Sequence, residues 1–201
     1  MISHKHKFIY IHVPKCGGTS LRGKINPYCE IRANSNFGTY TYHKSVNDLK
    51  NHFIDKKWNW STYTKIAPVR NPWDRTVSLW AFGNQEEWLS ITANGKEQNT
   101  CNDFTAWLHS NCAFLDRHWG YTTMIRDPKG EVLIDDFIRL ENFQEDFDIV
   151  CDKLGIPHQK LPHINKSKHK HYTEYYDDKT RQIVAEKYAQ DIEYFGYNFG
   201  D

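Results

Sequence analysis

A loop with two glycines stands between an apolar run and a helical segment near the start of the chain. Residues 8–13 (Phe-Ile-Tyr-Ile-His-Val) are β-branched and aromatic, which predicts a buried strand. The loop at 15–18 (Lys-Cys-Gly-Gly) follows, and a short helix is predicted over about 19–25, ended by Pro27. Because a strand passes almost directly into a helix here, this segment constrains the fold more than any other.

Strand-like and helix-like segments alternate along the rest of the chain. Ser45, with Asp48 three residues later, is a favoured helix start, and so is Asn71 followed by Pro72. This alternation predicts an α/β fold with a P-loop-like parallel β-sheet flanked by helices. The further predicted elements are strands at 28–33, 63–69 and 136–140, helices at 45–56, 71–88, 103–109, 143–154 and 178–195, and a turn at 127–130 between two short strands.

Length and composition limit the classes of protein. The 201 residues, 39% of them hydrophobic, are enough for one sizeable core, so a single domain over residues 1–201 is expected. The 26 Lys and Arg residues nearly balance 25 Asp and Glu residues, which argues against a nucleic-acid partner. Lacking an apolar run of about 20 residues, the chain is expected to have no transmembrane segment and to be cytoplasmic. The five cysteines, with no Cys-x-x-Cys spacing, favour reduced thiols.

The glycine loop has features that suit it to phosphate binding. Glycines let backbone N–H groups approach an anion, and the helix N-terminus that follows adds unpaired donors and a partial positive charge. Lys15 offers a full charge, while Thr19 and Ser20 offer hydroxyls. The alternative is an ordinary tight turn with a surface lysine. The lysine precedes the glycines, unlike in the mononucleotide P-loop, which disfavours a standard ATPase or GTPase.

A second informative run starts where the 63–69 strand passes into the next helix. The guanidinium of Arg70 can grip a phosphate bidentately there. Ser78 lies seven residues beyond Asn71, so it shares a helical stripe with the helix N-terminus. The alternative is a capped helix whose arginines make surface ion pairs. Arg75 and Asp74 are expected to orient the motif or cap the helix.

The run FIYIHVPKCGGTSL at 8–21 resembles the 5′-phosphosulfate loop of the Golgi-type carbohydrate sulfotransferases, the group of the heparan sulfate 2-O- and chondroitin enzymes. The resemblance implies the sulfotransferase fold, with 3′-phosphoadenosine 5′-phosphosulfate (PAPS) as donor and adenosine 3′,5′-bisphosphate (PAP) as product. The 70–78 run is similar to the family's 3′-phosphate motif, which gives Arg70 and Ser78 that role. The resemblance also gives Lys15 a catalytic role at the leaving oxygen. It implies donor binding by a set from the first loop: Lys15, Cys16, Gly17, Gly18, Thr19 and Ser20.

The acceptor hydroxyl must lose a proton during transfer, and histidine is suited to accept it near neutral pH. His43 lies just before the predicted 45–56 helix, where the resembled family often has a histidine, so His43 is the predicted base. His12 is the runner-up. The His-x-His pairs at 4–6 and 169–171 lack a completing carboxylate or cysteine, so no metal is expected.

The segment around 161–170 is basic and irregular, so it is either a solvated loop or a flap over the nucleotide. The resemblance favours the flap and assigns Ser167 and Lys168 to the 3′-phosphate. Residues 84–125, which include Trp107, are expected to contribute to the acceptor side, where an aromatic ring either stacks on a sugar or packs in the interior. The chain looks like a short bacterial or viral relative of the Golgi enzymes, so the expected acceptor is a hydroxyl on a carbohydrate. The shortness of the chain argues against a long polymer and leaves a small glycan, a glycolipid head group or a metabolite hydroxyl open.

Two alternatives stay open at the level of sequence. One is a nucleotide or small-molecule kinase with a variant P-loop, which would depend on ATP and Mg²⁺. The other is an inactive nucleotide-binding module, which would bind PAP without transferring anything. The position of Lys15 counts against the kinase.

Overall fold

The computed structural model describes residues 1–32, 44–83, 103–109, 121–162 and 170–201. The chain divides into two compact units. The first unit consists of Met1–Arg70 and Tyr121–Ile164, and the second of Asn71–Gly120 and Asn165–Asp201. Whether they fold as the single domain expected from the sequence stays a prediction.

A four-stranded sheet forms the centre of the first unit. Its strands are β1 (Ile2–Ser3), β2 (Phe8–Tyr10), β3 (Thr64–Val69) and β4 (Asp136–Arg139), and they lie side by side in chain order. β2, β3 and β4 are parallel, with Phe8 opposite Thr64 and Ile66 opposite Asp136. The predicted parallel α/β sheet is thus confirmed. β1 pairs antiparallel with β2 and makes the sheet mixed.

Helices and short 3₁₀ turns connect the strands and make up most of the described part of the second unit. In chain order, the helices of the described residues are α1 (Gly18–Ile25), α2 (Val46–Asp55), α3 (Pro72–Gly83), α4 (104–109), α5 (Tyr121–Ile125), α6 (Phe143–Leu154), α7 (Asp178–Lys187) and α8 (Ala189–Phe195). The 3₁₀ turns are Asn26–Tyr28, Trp60–Thr62, Leu140–Asn142 and Tyr172–Tyr175.

One face of the sheet and two helices build the core of the first unit. Alternate residues of a strand point to the same face of its sheet. Helices α1 and α6 pack their apolar stripes against the large side chains on one face of this sheet. The buried members of the cluster from these elements are Phe8, Tyr10, Ile66 and Ile138 of the strands, Leu21 and Ile25 of α1, and Phe147, Val150, Cys151 and Leu154 of α6. Strand β2 and helix α1, which flank the glycine loop, are therefore both fixed by this core.

Several predicted element boundaries hold. The Ser45 side chain accepts a hydrogen bond from the Asp48 N–H, and the Asp48 carboxylate accepts one from the Ser45 N–H, so α2 begins with the predicted capping box. α6 ends at Leu154, the predicted last residue of this helix, and Gly155 follows with φ 62°. The end of α3 predicted near Trp88 lies outside the described residues.

Three sequence predictions were wrong. The strand at 28–33 is absent from its described part: Asn26–Tyr28 forms a 3₁₀ turn around Pro27, and only Ile31 makes an isolated bridge, to Ile2. The strands around the 127–130 turn are reduced to one bridge, between Arg126 and Val132. The single helix at 178–195 is two, because Tyr188 leaves the helical conformation (φ −107°, ψ 22°) between α7 and α8.

Candidate functional site

The glycine loop holds two residues in the left-handed region of backbone conformation. Gly17 has φ 74° and Lys15 has φ 66°. A left-handed conformation costs a residue with a side chain about 1–2 kcal/mol, whereas glycine adopts it freely. The structure around the loop must therefore impose this conformation on Lys15.

Neither glycine of the loop has room for a side chain. A Cβ atom on Gly17 would lie 2.6 Å from Cζ of Phe143 and 2.8 Å from Cδ1 of Leu140. A Cβ atom on Gly18 would lie 2.5 Å from Nε2 of His12. An aromatic ring thus covers each glycine, and both positions require glycine for steric reasons.

The N-terminus of α1 is suited to a ligand of negative charge. Its N-cap is Gly17, which has no side chain to satisfy the first N–H groups, and the first turn contains no acidic residue. Such a helix end combines unpaired donors with a partial positive charge, which together favour an anion. Thr19 is half-buried and Ser20 is 3% exposed, both in this first turn.

Arg70 contacts the same loop. β2 and β3 are parallel neighbours, so the segments that follow them leave from the same edge of the sheet. Arg70 follows β3, and its Nη1 atom donates a hydrogen bond to the main-chain oxygen of Lys15 at 3.2 Å. The structure therefore brings together two positive residues that the sequence assigned to different motifs.

The second half of the 70–78 run lies in the second unit. The Asn71 side chain accepts a hydrogen bond from the Trp73 N–H at 3.1 Å, and Pro72 is the first residue of α3, as predicted for the helix start. Ser78 is 3% exposed. Arg75 is fully buried, and its guanidinium donates to the Tyr188 hydroxyl at 3.3 Å. Arg75 is therefore an interior residue rather than part of a surface ion pair.

The thiol of Cys16 points into the loop itself. It is fully buried and donates to the Pro14 carbonyl at 3.5 Å, so we expect Cys16 to meet a ligand through its backbone rather than its side chain. Trp107, expected on the acceptor side, is buried in α4 and stacks on Phe104. Three predicted site residues lie outside the described residues: His43, Ser167 and Lys168.

A short segment at 158–162 is held against α6 and leads toward the predicted flap. The Gln144 side chain accepts a hydrogen bond from the Leu161 N–H at 2.8 Å and donates one to the Gln159 carbonyl at 3.1 Å. A cavity of about 540 Å³ lies between this segment and α6, and Phe143, which covers Gly17, forms part of its wall. No sequence pattern indicated these roles of Phe143 and Gln144, because each depends on a tertiary contact.

Within the described ranges, no group of three or more His, Cys, Asp or Glu residues is placed to hold a metal ion. The imidazoles of His4 and His6 make different contacts: Nδ1 of His4 pairs with the Tyr63 hydroxyl, and Nδ1 of His6 with the Leu154 carbonyl. None of the helices that the structure describes combines the length and the apolar character that crossing a bilayer requires.

Comparison with known protein families gives a match over almost the whole chain. The family model described as the sulfotransferase family covers residues 1–198. Among curated proteins, none matches the chain significantly.

Proposed function

The chain belongs to the sulfotransferase family, and on that premise we propose that it moves a sulfuryl group from PAPS to a hydroxyl of a carbohydrate acceptor. Sulfuryl transfer in general follows from the family; the donor, the acceptor and the proton acceptor are the proposal. The observation that carries the proposal is the contact between Arg70 and the Lys15 loop at the N-terminus of α1.

The loop is suited to the 5′-phosphosulfate end of the donor. Backbone N–H groups of the loop and of the first turn of α1 can bind an anion without a competing acidic side chain. The Thr19 and Ser20 hydroxyls add donors, and Lys15 adds a charge. Arg70 and Ser78 keep their sequence-based assignment to the 3′-phosphate. The basic flap, with Ser167 and Lys168, is proposed to close over the same phosphate.

The reaction is an in-line displacement at sulfur. The acceptor oxygen forms a bond to sulfur while the bond from sulfur to the bridging oxygen of the 5′-phosphate breaks, and PAP leaves with the electron pair. His43 takes the proton of the acceptor hydroxyl. Lys15 stabilises the negative charge that develops on the leaving oxygen, and a preorganised charge of this kind typically contributes about 2.7–4 kcal/mol.

A sugar hydroxyl is the acceptor that we favour. The support for it is the run at 8–21, which contains the glycine loop and resembles that of carbohydrate sulfotransferases rather than the form found in the cytosolic enzymes. The proposed acceptor is a mono- or oligosaccharide. Small molecules that carry a hydroxyl are the acceptors with which it is compared.

Donor binding is tested first, by thermal unfolding with PAP, AMP and ATP. A ligand at one hundred times its Kd raises the free energy of unfolding by about 2.7 kcal/mol, so PAP should raise the Tm most. Stabilisation by ATP only in the presence of Mg²⁺, with none by PAP, would indicate the kinase alternative and overturn the proposed donor.

Transfer is then tested with sulfur-labelled PAPS and a panel of mono-, di- and oligosaccharides, with phenols and alcohols for comparison. Labelled product from a sugar, lost in Lys15→Ala, is the expected result. Binding of PAP without transfer to any acceptor would point to an inactive module. Transfer to phenols but to no sugar would contradict the proposed acceptor class while leaving the proposed donor intact.

A further inference from the structure

His12 occupies a defined place beneath the glycine loop. It follows β2 by two residues and is half-buried. The Nε2 side of its ring lies against Gly18: Nε2, Cε1 and Cδ2 lie 2.5, 2.6 and 3.0 Å from the position that a Gly18 Cβ would take. The ring also makes an edge-to-face contact with Tyr10, at 6.1 Å between centroids, and Tyr10 is part of the core. The imidazole therefore connects a fixed strand to the loop.

Gly18 is the first residue of α1, so its backbone belongs to the helix end that is proposed to bind the donor. His12 covers this residue, while Phe143 and Leu140 cover the neighbouring Gly17. The two glycine positions are thus held by side chains from separate parts of the first unit. A shift of His12 would release one of these supports and let the first-turn N–H groups move.

We infer that His12 is a positioning residue of the donor loop: its imidazole, packed on Gly18, fixes the N–H groups at the start of α1 that bind the phosphosulfate. The inference rests on the proposed function and adds to it a residue that need not touch the donor. A displacement of about 1 Å at a reacting group can lower a rate by about a hundredfold, so such support has a measurable effect. Nε2 is the ring atom nearest to the position of a Gly18 Cβ, so glutamine, whose amide group reaches that place, should replace histidine better than alanine does.

The first experiment compares PAP affinity and transfer kinetics of His12→Ala and His12→Gln with the wild type. His12→Ala is expected to raise the Kd for PAP and the KM for PAPS by about ten- to a hundredfold, the range that is typical when a group that orients a metal-binding side chain is lost. The KM for the acceptor should stay unchanged, and His12→Gln should recover most of the donor affinity. His52→Ala is the control, since His52 is also half-buried and makes an edge-to-face ring contact, with Trp58.

The second experiment tests the contact without any ligand. Gly18→Ala places a methyl group against the His12 ring and is expected to lower the Tm by roughly 3–10 °C. In the His12→Ala background the same substitution meets no ring. The Tm loss of the double variant should therefore be clearly smaller than the sum of the two single losses.

The outcomes separate the inference from the proposed function. If the wild type binds PAP and His12→Ala binds it equally well, the inference fails and the proposed function stands. Additive Tm losses in the double variant would also overturn the inference. If a folded His12→Ala raised the KM for the donor and the KM for the acceptor equally, His12 would have a general structural role, and the inference would fail. If the wild type does not bind PAP, the proposed function fails, and the inference with it.

Discussion

Nη1 of Arg70 lies 3.2 Å from the main-chain oxygen of Lys15, a residue 55 positions earlier in the chain, and donates a hydrogen bond to it. This contact joins the segments after two parallel strands at one edge of the sheet. Lys15 itself has a left-handed backbone, so its carbonyl is turned in a direction that a residue of ordinary conformation would not give. Lys15 and Arg70 are the two cations that we assign to the two ends of the proposed donor.

Replacing Lys15 with glycine should separate activity from stability. The change removes the left-handed strain, and the greater freedom of the unfolded glycine partly offsets that gain, so the free energy of unfolding should stay level or rise by up to about 1 kcal/mol. Transfer should fall by about 10²–10³ because the charge at the leaving oxygen is lost. Denaturant unfolding and the labelled-PAPS assay measure the two effects.

Lys57→Gly is the matched control for this change. Lys57 has φ 57° and follows α2, so glycine there relieves the same kind of strain. The free energy of unfolding of Lys57→Gly should change as that of Lys15→Gly does. The transfer rate of Lys57→Gly should equal that of the wild type. Equal loss of activity in both variants would contradict a special role for Lys15.

Arg70→Ala should reduce the preference of the protein for PAP over AMP. If Arg70 binds the 3′-phosphate, the loss of a charge-assisted hydrogen bond costs about 1.5–3 kcal/mol for PAP and little for AMP, which lacks that phosphate. Calorimetric titration of both nucleotides gives the ratio. Arg32→Ala serves as control, because exposed Arg32 also donates to a main-chain carbonyl, that of Cys29. An equal loss of affinity for both nucleotides would show that Arg70 acts on the loop and not on the 3′-phosphate.

Replacing Gly17 or Gly23 with alanine should change the free energy of unfolding in opposite directions. Gly17 precedes α1, and Gly23 lies inside it. Gly17→Ala introduces both a left-handed alanine and a clash with Phe143, and should lower the free energy of unfolding by about 2–4 kcal/mol. Gly23 lies within α1, and a Cβ there would meet nothing within 4 Å. Gly23→Ala should therefore raise the free energy of unfolding by about 0.5–1 kcal/mol, because alanine favours a helix more than glycine does.

Chemical denaturation of both glycine variants measures the difference. A Gly17→Ala variant as stable as the wild type would contradict the close contact of Phe143 with the loop.

The imidazole of His158 should titrate above the ordinary range of histidine. Its Nε2 lies 2.7 Å from an Asp152 oxygen, and this hydrogen bond raises the pKa of His158. A raised pKa in the folded state means that the pair stabilises the fold fully below about pH 6.5, and that this contribution is lost as the pH rises through the folded pKa. NMR titration should show the pKa returning toward about 6.5 in Asp152→Asn. An unchanged pKa in that variant would rule out the pairing as its cause.

Two buried thiols should resist alkylation in the native protein. Burial raises the pKa of Cys29 to about 12 and that of Cys151 to about 11. Because the thiolate is the reactive form, both should react with iodoacetamide at about pH 8 far more slowly than in the guanidinium-unfolded chain. Peptide mapping by mass spectrometry distinguishes them from the other cysteines. Rapid native labelling at either position would contradict its burial.

The features that the sequence predicted correctly are those that depend on residues close together in the chain. The glycine loop, the start of α1, the capping box of α2 and the Asn71-Pro72 start of α3 each depend on a few neighbouring residues, and each is found in the structure. The proximity of Arg70 to Lys15 is consistent with the parallel strands that precede them.

Tertiary contacts account for what the sequence did not predict. Strand β1 has two residues, too few for a periodic pattern. The break at Tyr188 interrupts an apolar spacing that is continuous in the sequence, at a residue whose hydroxyl accepts a hydrogen bond from buried Arg75. The rings that cover Gly17 and Gly18 come from Phe143 and His12, and no local pattern indicates that packing.

The order of the strands across the sheet has a consequence for synthesis. Since β1, β2, β3 and β4 lie side by side in the order in which they are translated, each new strand can dock on the edge left by the one before it. None of these four has to be inserted between two that have already paired. A nascent chain could hold a partly built sheet while the ribosome completes the segment that carries β4, and that strand would cover the edge of β3 before release.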